Sequence, residues 1–181
     1  MSKVIMFCAE GFEEIEGLTV VDILRRAGET IDMVSITDNS EITGSHGISI
    51  KTDKLAKDTD FSQYDMLVLP GGMPGTNYLK EDETVKNTLL DFNASGKYIA
   101  AICAAPTVLA KYGILDGKTA CCYESHEDKL VNSKVVRDPV VVDGNVITSR
   151  GLGTALTFSL KLVEILQNSE NAEKIAKSIM L

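Results

Sequence analysis

No cluster of Lys and Arg occurs anywhere in the chain, and 18 basic residues face 26 acidic ones for a net charge of −8. A surface that neutralises phosphates needs grouped cations, so no nucleic-acid partner is expected. No apolar stretch approaches the ~20 residues of a bilayer-spanning helix, so no membrane segment is expected. The N-terminus, Met1-Ser-Lys-Val-Ile-Met-Phe-Cys8, enters a strand at once, without a signal peptide's long apolar region or small-residue cleavage site. Only four cysteines occur, Cys8, Cys103, Cys121 and Cys122, and their spacing forms no disulfide framework; a reducing cytoplasm is the expected setting. With two histidines, His46 and His126, metal-ligand spacing is missing and no metal is expected. The Gly-x-Gly-x-x-Gly pattern of dinucleotide sites is absent as well, and no dinucleotide site is expected.

What is present is an ordinary globular composition, 44% hydrophobic and 24% charged, over 181 residues without repeat or linker. That is one domain, residues 1–181, large enough to bury a full core. Lys3 to Ala9 reads as a strand. Ile15, Leu18, Val21, Ile23 and Leu24 recur at helical spacing, and Gly28 closes that helix. Thr30–Ile36 and Met66–Leu69 are further strands, with a small hairpin expected between Thr37 and Lys54. A helix over Thr84–Ala94 precedes a fourth strand ending at Ile102, and Lys118–Cys122 reads as a fifth. Asp143-Gly144 marks a hairpin between Val135–Val142 and Asn145–Thr148. Helices over Leu152–Leu166 and Glu170–Ile179 complete the chain. Alternation of strands and helices implies an α/β fold. The order matches a flavodoxin-like, doubly wound, mostly parallel sheet with helices on both faces.

Such sheets bind ligands beyond the carboxyl ends of their strands, and three unusual segments fall there. The first is Cys103, between the apolar run Ile99–Ile102 and a helix opened by Pro106. A strand that breaks abruptly into a helix exposes the corner residue, and Ala104 and Ala105 let the backbone turn; this is nucleophile-elbow logic with sulfur. The free N–H groups and dipole of the helix start favour a thiolate there. The second is the acidic group Glu13, Glu14 and Glu16. Each can simply stabilise its helix start, by about 0.3–1 kcal/mol. One of them facing the thiolate would instead stay protonated and shuttle a proton. Spacing does not choose among the three, although Glu16 lies on the Val20 and Ile23 side. The third is Gly71-Gly72, either a tight turn or a group of N–H donors facing an anionic oxygen or sulfur. His126, in Tyr123-Glu-Ser-His126, and His46 are both open as partners of Cys103. Cys8, Cys121 and Cys122 read as packing.

The motifs Gly11-Phe-Glu-Glu-Ile-Glu16, Asp22-Ile-Leu-Arg-Arg-Ala-Gly28, Val68-Leu-Pro-Gly-Gly72, Ala100-Ala-Ile-Cys-Ala-Ala-Pro106 and Thr148-Ser-Arg-Gly-Leu-Gly-Thr154 together resemble the ThiJ/PfpI superfamily. The similarity is greatest to the branch of the parkinsonism-associated protein deglycase and its bacterial relatives. The resemblance implies a homodimer with an oxidation-sensitive Cys103, a protonated Glu16 as its partner, and an oxyanion pocket made by the N–H groups of Gly72 and Ala104. It implies activity on small reactive dicarbonyls, methylglyoxal to lactate, as a glyoxalase or deglycase without cofactor. The alternative it implies is an oxidative-stress sensor or chaperone. The protease-like branch has His directly after the cysteine; Ala104 here weakens a peptidase or amidohydrolase reading. The branch's usual histidine aligns with Tyr123. An arginine of an anion pocket in some relatives aligns with His46, while Arg26 is kept. Leu152 stands where a proline is frequent.

Overall fold

The first strand joins the two halves of the interior. In the computed structural model, which describes residues 1–181, Val4 through Cys8 have no exposed surface. The period of two sends Ile5 and Phe7 into one core and Val4, Met6 and Cys8 into another. A strand buried on both faces reads as an unbroken apolar run because neither face can be polar.

The strands are β1 (Lys3–Cys8), β2 (Thr30–Ser35), β3 (Glu41–Thr43), β4 (Ser49–Lys51), β5 (Lys54–Leu55), β6 (Met66–Leu69), β7 (Tyr98–Ile102), β8 (Thr119–Ala120), β9 (Lys134–Val135), β10 (Val140–Asp143) and β11 (Val146–Ser149). The helices are α1 (Glu14–Arg26), α2 (Gly75–Glu81), α3 (Glu83–Ala94), α4 (Pro106–Lys111), α5 (Ala155–Leu166) and α6 (Ser169–Ser178). Seven strands form the main sheet in the order β10-β11-β7-β6-β1-β2-β5. Every neighbouring pair is parallel except β10 with β11. On one face α3 and α4 contribute Val85, Leu89, Phe92, Val108 and Leu109. On the other α1 and α5 contribute Val20, Ile23, Leu24, Phe158 and Leu162. Each such side chain stabilises the fold by about 1.5–3 kcal/mol when fully buried. The architecture is the flavodoxin-like α/β sandwich. From β1 the chain steps outward to β2 and then crosses to β6 on the other side, so a crevice opens beyond the carboxyl ends of β1 and β6.

Several local expectations change. Lys118–Cys122 shortens to the two residues of β8, which pairs with β9 in a separate small sheet; β11 takes the place beside β7. Cys121 and Cys122 therefore lie beyond the strand. The expected strand over Val135–Val142 splits into β9 and β10, since Pro139 has no N–H to continue a ladder. The helix expected from Leu152 begins at Ala155, after one 3₁₀ turn over Leu152–Thr154. Helix α2 lacked a sequence signal, being short and opened by Gly75. The hairpin between Thr37 and Lys54 is present as β3 and β4.

Candidate active site

Cys103 sits at the corner between β7 and α4 with φ +65, one of three non-glycine residues in the left-handed region. That conformation is costly for a side chain bearing Cβ and is held only where surroundings enforce it. Here they do: the Cys103 N–H donates to the Ser149 carbonyl at 3.0 Å, and its carbonyl accepts from Tyr123 N–H at 2.8 Å. The sulfur is half-buried above the sheet.

The start of α1 sorts the three acidic residues by direction. Glu13 caps the helix, its carboxylate accepting from the Glu16 N–H at 2.7 Å. Glu14 turns toward the β3–β4 hairpin, accepting from the His46 N–H at 2.7 Å and meeting the His46 ring at 3.0 Å. Glu16 alone points at the sulfur. It is 1% exposed and accepts from the Gly71 N–H at 3.1 Å. Burial raises its carboxyl to about 7, opposed by hydrogen bonds to Cys103 and to the amides of Gly71 and Leu152.

The thiol itself differs from expectation. Instead of being made acidic, Cys103 is pushed up to about 12, first by burial and then by the neighbouring Glu16 charge; the amides of Ala104 and Gly72 oppose the rise. The two groups titrate as one unit, losing a first proton near 7 and holding the second to about 12. A thiolate exists here when Glu16 holds the shared proton.

Gly71 is placed at the site but not as an oxyanion donor, because its N–H is already given to Glu16. It must also lack a side chain: a Cβ there would lie 2.6 Å from both the Cys103 Cβ and Glu16 Oε2. Gly72, at φ +93, and Ala104 turn their amides to the sulfur.

The remaining candidates divide. Tyr123 donates its backbone N–H to the Cys103 carbonyl, and its ring lies on the same side of Gly151 as the sulfur. His126 hydrogen-bonds Ser125 at 3.0 Å and meets the Tyr123 ring edge-on at 6.3 Å, with no hydrogen bond to Cys103 or Glu16. His46 is bound to Glu14, so neither histidine forms a dyad with the cysteine. Arg26 pairs with Asp22 at 2.6 Å, ten residues and about 15 Å along α1 from Glu16. Within this chain it does not reach the site. Cys8 is fully buried with a thiol raised to about 12 by that burial, Cys121 bonds Thr148, and all four cysteines are free.

Glu13, Glu14 and His46 are the one group whose ligand atoms approach within 4.8 Å of one another. Their carboxylates already serve the backbone amides of Glu16, His46 and Ile48.

One wall of the site was missing from the residue-level reading. The Gly151 position closes it: a Cβ there would lie 3.4 Å from the Tyr123 ring, 3.7 Å from Glu16 Oε1 and 4.0 Å from the Cys103 sulfur. The signal was the pair of glycines flanking Leu152 at a strand-to-helix junction.

The chain is similar to known proteins along its whole length. The model of the DJ-1/PfpI family matches residues 2–165. The chain is 40% identical to protein dj-1beta of Drosophila melanogaster over 100% of its length and 98% of the relative's. It is 35% identical to the glutathione-independent glyoxalase DJR-1.2 of Caenorhabditis elegans, covering 99% and 96% of the two chains. Among solved structures, oxidized Toxoplasma gondii DJ-1 superposes with a TM-score of 0.96 at 36% identity, over 99% of this chain and 98% of that one. A cysteine held in a left-handed elbow against a buried glutamate thus sits in a chain alike to these proteins from end to end, and the chain belongs to the DJ-1/PfpI family.

Proposed function

We propose that this chain is a cofactor-independent glyoxalase/deglycase-type enzyme that converts methylglyoxal to lactate through a hemithioacetal on Cys103. The observation that carries the reading is the Cys103–Glu16 pair, a nucleophile and a carboxyl raised to about 7 sharing one proton beside two amides. The relative named as a glutathione-independent glyoxalase supports it at the level of the family.

The thiolate adds to the aldehyde carbon, and the oxyanion that forms is met by the N–H groups of Gly72 and Ala104 and takes the proton from Glu16. The Glu16 carboxylate then removes the proton from that carbon and returns it to the adjacent one. This isomerises the ketone–hemithioacetal to the thioester of lactate with no external oxidant or reductant. Water cleaves the thioester, releasing lactate and the thiol. The site acts on a small dicarbonyl. Ile15 and Ile48, both about half exposed beside the α1 start, suit a homodimer. No helix is long and apolar enough to cross a membrane.

Lactate formation from methylglyoxal by the parent and by Cys103→Ala tests the reading. Activity should fall to background in the variant; equal activity in both overturns it. A second reading is favoured by the same amides: peroxide oxidises Cys103 to a sulfinate that Glu16, Gly72 and Ala104 hold. Its mark is a gain of two oxygens on the Cys103 peptide before any on Cys8 or Cys121.

A further inference from the structure

Arg150 follows β11 directly and precedes Gly151 of the active-site wall. The chain has four arginines. Arg25 pairs with Asp53, Arg26 with Asp22, and Arg137 with Glu124 and Glu127. Arg150 forms no ion pair, its guanidinium makes no hydrogen bond within the chain, and its Nε is buried without a partner. A guanidinium carries five donors, and a buried donor left unmade costs about 1–3 kcal/mol. Folding alone gives no reason to keep one there, whereas an incoming acceptor does.

That acceptor has a place. Arg150 lines a cleft of about 660 Å³ with Tyr123, Glu124, Gly151 and Gly153. Gly151, which walls the cleft, also faces the elbow, since a Cβ there would lie 4.0 Å from the Cys103 sulfur, so the cleft adjoins the reacting atom. Its floor is the start of the Leu152–Thr154 turn leading into α5, where the Gly153 N–H has no partner in the chain. Free amides at a helix entrance and a guanidinium favour the same charge. The opposing charge on the wall, Glu124, is bound to Arg137 at 3.1 Å.

We infer that Arg150 is a specificity residue that binds a carboxylate on the far end of the substrate. The preferred substrate class is then α-oxoaldehydes carrying a carboxylate a few carbons from the aldehyde, ahead of methylglyoxal itself. This rests on the glyoxalase reading for the chemistry, but not for the binding.

Binding and turnover test the two parts separately. By calorimetry, levulinate should bind the parent at least ten-fold more tightly than 2-pentanone. Arg150→Gln should remove the difference, and Glu124→Gln, an exposed change that leaves Arg150 intact, should tighten levulinate several-fold. In turnover, kcat/KM for 4,5-dioxopentanoate over that for the neutral 2-oxopentanal should be at least ten in the parent and near one in Arg150→Gln. Equal binding of the acid and the neutral ketone by the parent, or a preference that survives Arg150→Gln, overturns the inference, as does weaker levulinate binding in Glu124→Gln. Levulinate binding that depends on Arg150 with neither aldehyde converted upholds the anion site and defeats the glyoxalase reading. Equal conversion of both aldehydes does the reverse.

Discussion

Replacing Glu16 by glutamine should make the protein more stable at pH 8 while destroying its chemistry. The Glu16 carboxyl is held at about 7 against an ordinary 4.5. The folded state therefore binds more protons than the unfolded chain between those values, and stability falls as pH rises through that window. This is opposite in sign to a salt-bridged carboxylate, whose pKa is lowered on folding. Each pH unit costs about 1.36 kcal/mol, so by pH 8 the ionised group has removed about 3 kcal/mol. Glutamine is the same size, its oxygen still accepts the Gly71 N–H, and it never ionises. The buried amide takes back part of the gain, leaving about 1–3 kcal/mol. For a chain of this length about 2 kcal/mol is roughly 4–8 °C in melting temperature. Urea or thermal unfolding of parent and Glu16→Gln at pH 5 and pH 8 measures it. The advantage should be present at pH 8 and largely gone at pH 5. A variant less stable than the parent at pH 8, or an advantage equal at both pH values, refutes the linkage argument and with it the raised carboxyl. Lactate formation measured on the same samples should fall at least 10²-fold, the usual scale of a lost acid–base group.

Three further outcomes follow from the geometry. Gly71→Ala places a methyl 2.6 Å from the Cys103 Cβ and Glu16 Oε2, so it should separate the pair and cost at least ten-fold in kcat/KM, read with a titration of Cys103 alkylation that loses its step near pH 7. His126→Ala should change kcat/KM by less than about three-fold, because its ring meets Tyr123 and its nitrogen meets Ser125. Tyr123→Ala, which opens the wall beside the sulfur, should cost several-fold more in the same assay.

The order of elements was legible because it is written in short-range periodicity. An unbroken apolar run such as Val4–Cys8 is buried on both faces in any parallel sheet, and its length and flanks announce it. The elbow was legible too, since Ile102-Cys-Ala-Ala-Pro106 carries a strand end, small residues and a helix-opening proline in five positions. The short pieces were not. β8 keeps two residues of an expected five because β11 occupies the sheet position beside β7, and that competition is between segments nearly thirty residues apart.

From the chain alone came the α/β class, the cysteine at the corner and an acidic group near it. Spacing left three glutamates open and only the family resemblance pointed to Glu16; the physical reason lies in the fold, where Glu13, Glu14 and Glu16 leave the start of α1 in different directions, toward the helix's own amides, a hairpin and the elbow. Tertiary structure also moved the thiol up instead of down, took the Gly71 N–H for Glu16, set Tyr123 rather than His126 beside Cys103, and left Arg150 without a partner. The physical reason is common to all of these. Burial, charge and hydrogen bonding act through distances in space, and no spacing along the chain encodes how far Glu16, Gly71, Cys103 and Gly151 are from one another.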